Sequence, residues 1–392
     1  VDTALANLAT VLDASDDQKA YTAALTWFLS LTGESLELVG YSAEYSDSDN
    51  YNMYRAAAHA YIQPDEVTDL SEVVILAGSD FQPNTNEKGI QNIRDVMGAL
   101  NNAGYYGFDG LLFTGDYTQA HGSDLESGNV GINALDGEMH NYVNFDRTYG
   151  QGNHDHKDLD LMAPYGNNDP AGAPYGIFNI PEDKYDAYGN GGQTVAADLT
   201  AYFNEKIESG WGNKPIFVLS HLPLHYNYRT IKDKGASSAM YIIDALNAAN
   251  DAGLNIIFLF GHNHSGGYDD YLGGAAIYVP KGESIIVADP AGYKNAPIET
   301  ELRFTYMNSG YIGYYNDMGN GADTALTLSV FRIQANGDVI ITRYDKNGEH
   351  NLKSAGALSP YDRDYTTYTE ADLREFESSR IVGSNKDEEY DG

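Results

Sequence analysis

Cysteine is absent from all 392 residues, so disulfides, thiolate metal ligands and cysteine nucleophiles are excluded together. Basic side chains are scarce: 23 Lys and Arg stand against 57 Asp and Glu, a formal net charge of −34. A surface this acidic repels polyanions, which argues against nucleic-acid binding across a broad face. No apolar run approaches the roughly 20 residues that a membrane-spanning helix needs. The chain also begins at Val1 with no basic-then-apolar leader. With the missing cysteine and a composition rich in tyrosine and poor in lysine, this leads us to expect a trimmed, mature extracellular or cell-envelope protein of a bacterium.

What is present suits a globular, loop-rich enzyme: 42% hydrophobic residues and 41 glycines. Five short polar islands interrupt the chain: Ser79-Asp80-Phe81-Gln82, Gly115-Asp116, Gly152-Asn153-His154-Asp155, Ser220-His221 and Gly261-His262-Asn263-His264. Four of them directly follow apolar runs, namely Val73–Leu76, Leu111–Phe113, Ile216–Leu219 and Ile256–Phe260, which read as buried strands. Open α/β sheets place their sites at the carboxyl ends of strands. Between the runs, Ile90, Ile93, Val96, Met97 and Leu100 form a helical stripe that Gly104 ends, and residues 195–207 and 240–246 repeat the pattern. Strands alternating with helices predict parallel pairing with the helices outside.

The order and content of the islands resemble the calcineurin-like metallophosphoesterase superfamily, whose pattern is Asp-x-His, Gly-Asp, Gly-Asn-His-(Asp or Glu), a lone His, then Gly-His-x-His. The resemblance implies an α/β fold: a four-layer αββα sandwich of two mixed sheets flanked by helices. It also implies two divalent or trivalent metal ions, Mn, Fe or Zn by their oxygen and nitrogen donors. The first would take Asp80, Gln82, Asp116 and His264, and the second Asp116, Asn153, His221 and His262, with Asp116 as the bridge. The implied reaction is hydrolysis of a phosphate mono- or diester by a metal-bridging hydroxide. His154 would assist the leaving group. Asp155 would either orient His154 or cap a following helix. An acidic protein can still bind such a small ester, because cations dominate the field in the cleft. Gln82 departs from the pattern, an amide standing where the family has His, and Gln119 stands where relatives carry Asp or Tyr.

Other residues carry alternatives. His225, Lys157 and Arg229 are candidates to contact substrate, against structural packing for His225 and surface ion pairs for the two basic residues. The long segment 157–193 reads as a structureless insertion, and its Tyr165, Tyr175, Phe178, Tyr185 and Tyr188 either wall the substrate or pack on themselves. We expect three regions: a helical extension over 1–70, the metallophosphoesterase domain over 71–345, and a polar tail over 346–392 with one helix opened by Thr369 and a disordered end. Within the domain, β-rich stretches follow His264, and Asn336-Gly337-Asp338 marks a hairpin turn. Two further functions stay open: a noncatalytic metal-containing cell-surface binding protein, and a nucleotidase or nucleotide pyrophosphatase.

Overall fold

The computed structural model describes residues 73–82, 85–105, 107–118, 125–186, 191–225, 238–262, 278–288, 297–313 and 326–350. The expected extension over 1–70 and the tail helix near 370 lie outside these residues. Strand pairing continues to His350, past the boundary expected at 345.

The first half of the described chain runs β1 (Val73–Gly78), α1 (Asn86–Asn102), β2 (Phe108–Phe113), α2 (Leu125–Met139) and β3 (Val143–Tyr149). The second repeats the alternation: β4 (Gly166–Asn167), β5 (Gly176–Ile180), α3 (Gly192–Glu208), β6 (Pro215–Ser220), α4 (Ala239–Asp251) and β7 (Asn255–Phe260). Shorter strands follow: β8 (Tyr278–Val279), β9 (Ser284–Ala288), β10 (Pro297–Glu301), β11 (Thr305–Asn308), β12 (Leu328–Ile333), β13 (Val339–Asp345) and β14 (Gly348–His350). α1 begins at Asn86, about one turn before Ile90, the first residue of the sequence stripe. Thr85, in extended conformation, accepts a hydrogen bond from the Lys88 N–H and so satisfies one otherwise unpaired amide of the first turn.

These strands form two six-stranded mixed sheets, in the orders β14-β13-β12-β1-β2-β3 and β4-β5-β6-β7-β11-β8, and a separate β9–β10 pair. In the first sheet β1, β2 and β3 are parallel and β12 returns antiparallel to β1. In the second, β5, β6, β7 and β11 are parallel. The molecule is therefore a mixed α/β protein. The C-terminal strands do not stay together: β12 to β14 complete the first sheet and β11 and β8 the second. The hairpin at residues 336–338 forms as expected, with Val339 opposite Ile333 and Gly337 at φ +86°.

The parallel strands β1, β2, β6 and β7 are buried on both faces, which is why each carries an apolar run. Leu76, Leu111 and Phe113 share a cluster with Ile93, Val96, Met97 and Leu100 of α1 and with Ile132, Leu135 and Met139 of α2. Ile216, Val218, Ile256 and Phe258 share another with Leu199 and Phe203 of α3 and with Ile242 and Leu246 of α4. The alternate residues of both sheets meet in a third: Ile75, Ala77, Leu112 and Phe331 against Ile177, Phe217, Leu219, Ile257 and Leu259. Phe217 meets Phe331 edge-on there, ring centroids 5.3 Å apart. Truncating such a ring to Ala costs about 3–5 kcal/mol, so this contact holds the two sheets in one register.

The segment 157–193 is not structureless. It supplies β4 and β5, and Tyr175, Phe178 and Tyr185 are each less than 5% exposed, in the core. Tyr165 packs against the same cluster and donates to Asp198. These four pack into the core clusters beside β6 rather than only on one another, since burying such rings is worth more than leaving them on a cleft wall; Tyr188 is outside the described residues.

Candidate metal centre

The polar islands meet because parallel strands of both sheets end side by side. Asp80 follows β1, Asp116 follows β2, Asn153 and His154 follow β3, His221 follows β6 and His262 follows β7. Loops tie the ends together: the Asp80 N–H donates to the Gly115 carbonyl (2.9 Å), and the Gly261 N–H to the His221 carbonyl (2.9 Å). Ser309, after β11, locks both sheets at this end. Its hydroxyl lies 3.1 Å from the carbonyls of Gly78 and Phe260, one in each sheet, and 2.8 Å from the Thr114 hydroxyl.

Asp80, Asp116 and His221 converge, all three buried and with their ligand atoms within 4.8 Å of one another. His221 Nε2 lies 3.1 Å from Asp116 Oδ2 and 3.9 Å from Asp80 Oδ1. The shorter approach lacks hydrogen-bond alignment, and Nε2 has no hydrogen-bond partner although the residue is 1% exposed. Its other nitrogen, Nδ1, faces the Thr114 carbonyl at 2.9 Å. A carbonyl only accepts, so Nδ1 carries the hydrogen and the lone pair of the neutral ring is on Nε2, aimed at two carboxylates. This is the tautomer and second contact that metal-bound histidines have. Burial by itself would depress the imidazole, but Asp116 and Asp80 overcome it and push its pKa up to about 9. Burial likewise opposes the charge on Asp116, yet His221 and His154 hold its carboxyl below the usual range. Two buried carboxylates and an imidazole supply the charge and the oxygen and nitrogen donors for a cation. The residues could hold a metal ion.

Three of the remaining expected ligands, Gln82, Asn153 and His262, lie beside this trio or against one another next to it. Gln82 Nε2 donates to Asp116 Oδ2 at 2.8 Å. Asn153 Oδ1 is 2.9 Å from His262 Nδ1, and the His262 N–H donates to Asp80 Oδ2 at 3.0 Å. The rings of His262 and His221 meet edge-on, centroids 5.3 Å apart. His264 is outside the described residues. The His154 N–H donates to Asp116 Oδ1 (3.0 Å), and the residue is half-buried.

Backbone strain collects at the same place. Asp80, Asp116 and His262, at φ 54°, 64° and 65°, are the non-glycine residues of positive φ among the described ones. Such conformations cost of order 1 kcal/mol or more each and persist where the surroundings over-determine them. The glycines before the ligands show how tight the surroundings are. A Cβ on Gly152 would lie 2.0 Å from Asp116 Oδ1, and one on Gly261 1.9 Å from Ser79 Oγ.

Asp155 performs neither expected role. Its Oδ2 accepts from the N–H groups of Asp116 and Gly152 (both 2.7 Å) and its Oδ1 from Tyr117 N–H (2.8 Å). It splints the loop that carries Asp116 onto the loop that carries Asn153. No helix follows for it to cap. Burial and the charge of Asp116 push its carboxyl pKa up, and the three amides draw it back.

His225 is placed by packing rather than at a substrate. It is 2% exposed, and its Nδ1 is 2.8 Å from the Tyr306 hydroxyl. That oxygen already accepts from Leu224 N–H (2.9 Å) and His225 N–H (3.3 Å), so its own hydrogen goes to Nδ1. Burial pushes the His225 imidazole down to about 3. Lys157 is exposed. Arg229 and Gln119 are outside the described residues. Sequence reading missed Ser309 and Thr114. The available signal was Tyr306-Met307 running into Asn308-Ser309-Gly310, the same apolar-to-polar step that marks the islands.

Comparisons with known proteins leave this geometry to speak for itself. No protein-family model and no curated protein matches the chain. A solved structure described as GAP50, the anchor in the inner membrane complex of Plasmodium, is similar over 79% of this chain and 94% of that chain, at 11% identity and a TM-score of 0.39. A likeness this slight carries no argument about fold or activity.

Proposed function

We propose that this chain is a metal-dependent phosphoesterase of the calcineurin-like kind, its two sheets and four flanking helices forming a four-layer αββα sandwich with the reaction at the joined carboxyl ends. The observation that carries the reading is the buried trio of Asp80, Asp116 and His221, with the lone-pair nitrogen of His221 turned inward. A bound metal supplies Lewis acidity toward a phosphoryl oxygen and lowers the pKa of water.

The chain's own residues do the rest. Thr114 fixes the ring of His221, and Asp155 fixes the backbone of Asp116. The His154 amide is tied to Asp116, so its imidazole rides on the metal-binding loop, and we assign to it the proton that a leaving oxygen takes up. Without that proton the departing alkoxide or aryloxide would leave as an anion into an acidic cleft.

The test is hydrolysis of aryl phosphate mono- and diesters by metal-loaded protein. Turnover that falls by roughly 10²–10⁴ in His154→Ala with metal content unchanged supports the assignment. Full metal loading without turnover of either ester class would favour the noncatalytic binding reading.

A further inference from the structure

The distances around Asp116 bear on how many ions the centre holds. Ligand atoms bound to one ion at about 2.1 Å sit about 3.0 Å apart at right angles, about 3.4 Å at the tetrahedral angle and about 4.2 Å when opposite. His221 Nε2 is 3.1 Å from Asp116 Oδ2 and 3.9 Å from Asp80 Oδ1, inside that range. Both His221 distances therefore allow Asp80, Asp116 and His221 to share one ion. A pair of ions about 3.5–4 Å apart would place Asp80 and His221 on different ions. It would also need strong donors on the Asp80 side, where Gln82 stands among the described residues.

Gln82 shows Asp116 the other end of its amide. A carboxylate only accepts, so the group 2.8 Å from Asp116 Oδ2 is the NH₂. A cation cannot share the direction of an N–H. Across the site Asn153 and His262 are hydrogen-bonded to each other and enclose the trio from that side.

We propose that Gln82 is a hydrogen-bond donor that positions Asp116, and that Asp80, Asp116 and His221 hold one transition-metal ion in one coordination sphere, so that the centre retains one tight ion per chain. This rests on the metal-binding part of the reading above and not on its phosphoesterase part. An amide is a weaker donor than imidazole toward Mn, Fe or Zn, so replacing Gln82 by His strengthens the donor set for a second ion.

The experiment strips the full chain with a chelator, loads it with Mn²⁺, removes free ion by gel filtration, counts metal by elemental analysis and records the electron paramagnetic resonance spectrum. The wild type is expected to carry one Mn²⁺ with the hyperfine pattern of an isolated ion. Gln82→Ala is expected to keep that ion, His221→Ala to lose it, and Gln82→His to carry two ions with a spin-coupled spectrum. Two tightly held, coupled ions in the wild type would overturn the proposal while leaving the phosphoesterase reading standing. Loss of the ion in Gln82→Ala would overturn it as well, and so would one ion in a folded Gln82→His. A wild type that retains no ion would overturn both readings. Should Gln82→His fail to fold, the wild-type count and spectrum decide.

Discussion

Acidification should destabilise this protein through His225, and the effect can be isolated. The ring is buried and neutral, with Nδ1 accepting from Tyr306, whose own pKa burial pushes well above the ordinary value, so the hydroxyl stays protonated throughout. The folded imidazole takes a proton only near pH 3. In the unfolded chain it takes one near the ordinary value of about 6.5. Between those values the unfolded state binds more protons, so the contribution of His225 is whole above about pH 6.5 and is lost as pH falls. Going from pH 7.5 to pH 5 removes about 1.5 units' worth, or roughly 2 kcal/mol at about 1.36 kcal/mol per unit. The full window, about 3.5 units, sets an upper bound of about 5 kcal/mol. The assay is urea denaturation in chelator at pH 7.5, 6 and 5, comparing wild type with His225→Gln, whose amide oxygen can accept from Tyr306 but does not titrate. Groups common to both proteins, His221 among them, cancel in the difference. The wild type should lose about 2 kcal/mol more than the variant between pH 7.5 and 5. Parallel profiles would refute the placement of a neutral imidazole in the core.

Three further outcomes are expected. Gly152→Ala should lower metal affinity and cost about 1–3 kcal/mol, because its Cβ meets the Asp116 backbone N at 2.6 Å as well as the carboxylate and neither can move aside cheaply; calorimetric metal titration and denaturation check this. Saturating Mn²⁺ or Zn²⁺ should stabilise the wild type by about 2.7 kcal/mol at a hundred times Kd and leave His221→Ala unshifted in a thermal melt. Ser309→Ala should cost about 1 kcal/mol in denaturation, since the hydroxyl spans both sheets while the carbonyls it contacts keep their ladder partners, and a loss above about 3 kcal/mol would show that it carries more than one bond.

The strands and helices that position the centre were legible wherever the period was clear. The stripe of α1 and the runs at β1, β2, β6 and β7 follow from burial on one face or both. α2 was missed because its Gly128, Gly131 and Gly137 carry low helical propensity, and packing of Ile132, Leu135 and Met139 overrides it. β5 was missed inside a segment rich in Pro, Gly and Tyr, where its buried Ile177 and Phe178 look like loop residues until β6 lies beside them. Asp155 was assigned by its neighbour in sequence, His154. Its real partners, Asp116 and Tyr117, are reached only when two loops meet.

By itself the sequence determined that the chemistry is not thiol-based, that apolar strands end in Asp, Asn and His, and which of these residues are candidates to bind metal. Those are properties of residue type and local period, and they survive any arrangement of the strands. Only the tertiary structure decided that Asp80, Asp116 and His221 face one another while Gln82 turns its donor to Asp116 and His225 turns away into the core. The reason is that coordination depends on distances between atoms dozens of residues apart. Those distances exist only once the interface around Phe217 and Phe331 has fixed one sheet against the other.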